Sequence, residues 1–80
     1  MQVFSLVYPL PKVGVEYIET ISVHQLTDGG GSLLSFLILS RVTDRETGEL
    51  GDFRVEGQGW IKDEVIAQAV RIADHRTGRA

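Results

Sequence analysis

Eighty residues with 42% hydrophobic content and no cysteine make one small domain, whose core comes from side-chain burial without disulfide or thiolate metal site. Eleven Asp and Glu against eight Lys and Arg leave a net charge of −3, the wrong sign for a chain held on nucleic acid by its overall field. No apolar run reaches the roughly 18 residues of a membrane span, and residues 1–7 lack the basic start and small-residue cleavage site of a secretory signal.

The expectation is therefore a cytoplasmic protein without membrane contact, with one domain over residues 1–80. The initiating Met and the untagged end are those expected of a complete small protein.

Residues 1–8 read as a short strand, with Val3, Ser5 and Val7 on one parity and Phe4, Leu6 and Tyr8 on the other. Pro9 and Pro11 cannot donate backbone hydrogen bonds, so the ladder is expected to stop there, leaving an edge strand and a bend. In residues 13–26, Val13, Val15, Tyr17, Ile21 and Val23 alternate with Glu16, Thr20, Ser22 and His24. That is a half-buried antiparallel strand with breaks at Ile18 and Glu19, long enough to hold a bulge near residues 18–20. The glycine-rich residues 27–31 then form a hairpin connection.

Residues 32–43 are the only run apolar on both parities: Leu34, Phe36, Ile38 and Val42 on one, Leu33, Leu37 and Leu39 on the other. Such a strand belongs in the middle of a sheet with both faces covered. Residues 44–49 carry the acidic start and late Gly48 of a turn with a glycine bulge. Residues 50–57 return as a strand with Phe53 and Val55 inward and Asp52, Arg54 and Glu56 outward.

Gly57, Gln58 and Gly59 are expected to break the sheet, and from Trp60 the period changes from 2 to 3.6. Ile61, Val65, Ala69 and Ile72, flanked by Ile66, Val70 and Ala73, form one apolar stripe. Asp63 and Glu64 suit the positive end of a helix dipole, while Arg71, His75 and Arg76 suit the negative end, and Gly78 stands just past the C-terminus. The fold class is α+β: an antiparallel sheet of three to four strands in a meander, with one C-terminal helix across one face. One helix leaves either Leu33, Leu37 and Leu39 or Leu34, Phe36 and Ile38 on the second face.

Chemistry-bearing patterns are few. The loop over residues 28–32 has no following Lys and enters a strand, so it reads as a plain hairpin and not as a phosphate loop. Residues 57–59 precede a helix, but Lys62 stands where a dinucleotide fingerprint needs its third Gly, and Asp63 and Glu64 repel an anion. His24 and His75 are too few for a metal site, and no serine occupies a G-x-S-x-G elbow. The expectation is no catalytic residue, no cofactor and no metal, so not an enzyme, with a small enzyme as the last of three alternatives behind a protein-interaction module and a nucleic-acid-binding one.

The densest charge lies in the hairpin, where Asp44, Glu46, Glu49, Asp52 and Glu56 outnumber Arg45 and Arg54. The bland reading is a solvated turn; the functional one is a negative surface for a basic protein partner. The candidate partner-binding set is Leu33, Leu37 and Leu39 with Asp44, Glu46, Glu49 and Asp52, acting on a protein partner or in a homodimer.

Residues 55–59, Val-Glu-Gly-Gln-Gly, followed by Lys62, Ala67, Ala69 and Ala73, resemble the end of a double-stranded-RNA-binding domain, where a third strand and a Gly-x-Gly turn lead into an Ala-rich helix. The resemblance covers about 20 residues and implies nucleic-acid binding as the alternative function. That family's basic run at the helix start is replaced here by Lys62-Asp63-Glu64, and its first helix has no counterpart in residues 1–12, which hold both prolines. In size and acidity alone the chain also resembles phage-encoded inhibitors such as anti-CRISPR proteins, which implies action by covering a protein surface.

Overall fold

The alternating first half and the 3.6-residue stripe of the last quarter become four strands and a helix in the computed structural model, which describes residues 1–10 and 16–78. These are β1 (Gln2–Leu10), β2 (Tyr17–Thr27), β3 (Leu33–Asp44), β4 (Arg54–Gly59) and α1 (Lys62–Thr77). The sheet is an antiparallel meander in the order β1-β2-β3-β4, with α1 on one face. Pro11, Val13 and Val15 lie outside the described residues.

Pro9 does not end the first strand as expected. It stays in register with Ile18, and Leu10 with Tyr17. An edge strand accepts proline where the missing N–H faces away from the ladder.

The length that would allow a bulge near residues 18–20 is not used for one: β2 pairs with β3 without interruption from Tyr17 to Leu26. Glu19 therefore keeps the parity of Ile21 and Val23 and is carried into the core side of the sheet, where it is buried.

The fourth strand also departs from expectation. Its ladder starts at Arg54, and Leu50 makes only an isolated bridge with Thr43. A register shift between Ile38 and Leu39 sets Ile38 opposite Gly57 and Leu39 opposite Val55, leaving Glu56 as the extra residue. The shift reverses the predicted faces: Phe53 and Val55 are 52% and 67% exposed, and Glu56 turns toward the helix.

Gly57 and Gly59 do not break the sheet. They pair with Ile38 and Phe36, and both lie beneath α1. A Cβ at Gly59 would stand 2.7 Å from Val65 Cγ2, and one at Gly57 2.9 Å from Gln68 Nε2. The helix thus rests directly on the β4 backbone.

Acids in the first turn and basic residues in the last match the helix dipole, and Gly78 closes the helix in the left-handed region at φ 76°. Val65, Ala69 and Ala73 pack on Tyr8, Ile21, Val23, Phe36 and Ile38, with Phe4, Leu6, Ile66 and Ile72 half-buried around them. The covered face of β3 is therefore that of Phe36 and Ile38, although Leu34, on the same parity, is exposed at the strand's start. Leu37 and Leu39 point to the other face and are half-buried by their neighbours. Ile61 of the predicted stripe is exposed at the helix N-cap.

Strand β3, with 12 residues, runs about 40 Å at roughly 3.3 Å per residue. The 16-residue helix runs about 24 Å at roughly 1.5 Å per residue. The core face consequently projects beyond the helix, at Leu34 on one end and at Val42 and Asp44 on the other. No helix among the described residues is long and apolar enough to cross a membrane.

Candidate functional site

The boundary between the covered and uncovered parts of this face is marked by charge. Glu19, with a side chain only 2% exposed, takes a hydrogen bond from Arg76 Nη1 at 2.7 Å and one from the Tyr8 hydroxyl. Arg76 Nη2 reaches Glu56 Oε2, and Ser40 Oγ donates to Glu56 Oε1 at 3.2 Å. Arg54 stands further off, 3.7 Å from Glu19 and 3.9 Å from Glu56.

Two carboxylates thus share two guanidinium groups, a phenol and a serine hydroxyl. Burial, then the hydrogen bond to the Glu19 carboxylate, pushes the Tyr8 phenol above its ordinary pKa. Burial works against the charge of Arg76, but Glu19 and then Glu56 outweigh it and hold the guanidinium pKa above its usual value.

Beyond this cluster, on the same face, lies a groove. Glu19 pairs with Tyr8 and Val42, and two residues on, Tyr17 pairs with Leu10 and Asp44. Leu10, Tyr17, Val42 and Leu50 form its apolar lining, Gly51 completes its floor, and Asp44 and Glu49 stand at its rim; its volume is about 440 Å³.

The hairpin that supplies the rim is braced internally. Asp44 Oδ1 accepts from the Glu46 N–H at 2.8 Å and the Thr47 N–H at 3.3 Å, and the Asp44 N–H donates to Glu49 O at 3.0 Å. Gly48 takes φ 74°, the conformation the turn needs. The Gly51 N–H donates to Val42 O at 2.8 Å, which folds Leu50 back over the strand end.

Of the residues singled out from the sequence, Asp44 and Glu49 meet at this groove, and Glu46 and Asp52 are exposed on the same hairpin. Glu56 leaves that acidic surface for Arg76. Leu37 and Leu39 lie on the opposite face, across from His24 and Ser22, and Leu33 is exposed at the far end of β3. Leu10, Tyr17, Val42 and Leu50 were missed. Their signal is a strand whose length exceeds that of the helix meant to cover it.

On the face without the helix, Ser22 Oγ lies 2.8 Å from His24 Nε2, and Ser22 is buried. Among the described residues no carboxylate completes a triad with this pair. Nor does any group of three or more His, Asp or Glu among them suit a metal ion. The Arg41 guanidinium lies 3.7 Å above the Phe53 ring centre, which accounts for the exposed aromatic after the hairpin.

Comparison with protein families, with characterised proteins and with solved structures gives no match.

Proposed function

We propose that the chain is a non-catalytic protein-interaction module whose helix-free groove takes an apolar side chain flanked by basic residues on a protein partner. The observation that carries this reading is the conjunction of an apolar lining, Leu10, Tyr17, Val42 and Leu50, with the acidic rim of Asp44 and Glu49. Interfaces are commonly built this way, with an apolar centre for affinity and a charged rim for steering and partner choice. The exposed Glu46 and Asp52 extend the negative field beside it.

The test compares the wild-type chain with the triple variant Glu46→Ser, Glu49→Ser and Asp52→Ser. Partners are captured from nuclease-treated lysate, identified, purified and titrated at several salt concentrations. A basic protein partner whose binding weakens in the triple variant, with a flatter salt dependence, supports the proposal. Capture that depends on nucleic acid, or that strengthens when the three carboxylates are removed, overturns it, because phosphate contacts gain from lost negative charge.

A further inference from the structure

We propose that two copies of this chain pair through their β1 strands, antiparallel, with Leu6 opposite Leu6 of the second copy. This rests on the exposed edge of the sheet and is independent of the groove. Strand β1 is nine residues long, is bonded on one side only by β2, and contains no charged residue. Edge strands are ordinarily guarded against pairing by charge, shortness or bulges. The opposite edge, β4, is guarded: it has six residues, among them Arg54, Glu56 and two glycines. On β1 the only guards are the register shift between Gln2 and Phe4 and Pro9 near the other end. Among the described residues the stretch between them is open.

Pro9 also fixes the register. Since it remains paired with Ile18, its nitrogen faces away from β2, and alternation turns the N–H and C=O groups of Val7 and Ser5 outward as well. Setting Val7 against Val7 of the second copy would place Ser5 against Pro9, which has no N–H to give. Setting Ser5 against Ser5 would drive Val7 into the shifted segment at Gln2 and Phe4. Only the register centred on Leu6 pairs Ser5 with Val7 twice, each pair exchanging two N–H···O bonds, and it moves Pro9 out of this centre to stand against Val3 in the shifted segment.

Side chains suit the same register. On the helix side Leu6 meets Leu6, and Phe4 of each copy faces Tyr8 of the other, a cross-strand aromatic pair. A groove of about 120 Å³ between residues 6–9 of β1 and Ala73, Asp74 and Thr77 of the helix lies where the incoming Phe4 ring would arrive. On the other side Val7, 61% exposed, gains the second copy's Ser5 as its neighbour. The result is one continuous sheet with both helices on the same face and a self-complementary, two-fold contact.

The test uses the proline rule itself. Val7→Pro removes an outward N–H from each copy while leaving the β1–β2 ladder intact, and should weaken association by about tenfold or more. Sedimentation of the wild type should show a dimer that this variant shifts toward monomer with unchanged circular dichroism. Register is read separately by single-cysteine variants, since the chain has no cysteine of its own. Leu6→Cys places two thiols at a close non-hydrogen-bonded pair, about 4.5 Å between Cα atoms, within disulfide reach. It should oxidise to a covalent dimer faster than Val7→Cys, whose thiols are out of register. A wild type that remains monomeric at high concentration, a Val7→Pro variant that dimerises as tightly, or a Val7→Cys variant that cross-links as fast as Leu6→Cys overturns the proposal.

Discussion

Arg76 donates to Glu19 at 2.7 Å across 57 residues of chain, joining the last turn of α1 to the body of β2. A carboxylate this buried is tolerable only with its charge matched and its lone pairs occupied, and Arg76 and Tyr8 do both. The basic helix end, legible as a dipole complement, is in fact a crossing point: the second arm of the same guanidinium holds Glu56 of β4. Helix and sheet are therefore pinned at the place where the helix ends and the groove begins.

Arg76→Ala should cost roughly 3–5 kcal/mol in urea titration, because it leaves buried Glu19 with the Tyr8 hydroxyl and only the more distant, exposed Arg54 as its cation. The double variant Glu19→Leu, Arg76→Met should lose less than Arg76→Ala alone, even though it alters two residues. Equal losses would mean that the pair contributes attraction beyond compensating its own burial.

Gly59→Ala should destabilise the fold by about 1–3 kcal/mol, since the new methyl group meets Val65 Cγ2 at 2.7 Å. Adding Val65→Ala should recover part of that loss by vacating the space. Gly30→Ala is the control: its Cβ meets only the Asp28 carboxylate oxygen at 3.4 Å, and the midpoint should hardly move.

Ile66→Ala and Ile72→Ala should each cost roughly 2 kcal/mol, toward the lower end for core truncations because both side chains are only half-buried against the sheet. Denaturant midpoints check this, and a loss below about 1 kcal/mol would show that these positions pack little.

Two titrations have predictable signs. Burial, then the nearby N-terminal ammonium, lowers the His24 pKa below its ordinary 6.5. The fold thus favours the neutral ring, and its contribution is complete above the ordinary value and lost as pH falls through the lowered one. An NMR titration of the His24 ring should have its midpoint below 6.5. The raised Tyr8 phenol acts oppositely: its contribution is complete below its ordinary value of 10 and is lost as pH rises beyond it. Tyr8→Phe should lack that alkaline loss while costing about 1.5–3 kcal/mol at neutral pH for the missing hydrogen bond to Glu19.

The architecture was legible because its signals are local. Alternation marked the strands, the stripe from Val65 to Ala73 marked the helix, and Gly78 marked its end. Long-range pairing hid the rest. Glu19 reads as a break in an apolar parity, and only the distant Arg76 makes it a core residue. Gly57 and Gly59 read as a turn because nothing nearby in sequence reveals that a helix will lie on them. Glu56 reads as outward because one shift of register after Ile38 is invisible in the alternation. Half of the groove was visible as the acids of the hairpin; its apolar half needed the comparison of strand length with helix length.

The dimensions of the molecule, 47 by 28 by 14 Å along its principal axes, describe a plate with two mechanical regimes. Where α1 lies across the strands, bending the sheet would have to open a packed core, and the β2 and β3 amides there should be the last to exchange with deuterated solvent. Past Arg76 the same strands carry no helix among the described residues, and a change of twist there would not have to open the packing of Ile21, Val23 and Ile38. A partner meeting the Leu10 to Leu50 end therefore meets the pliant half of the plate, and the ordering it imposes there should appear as slowed exchange of the hairpin amides, with the helix-backed half unchanged.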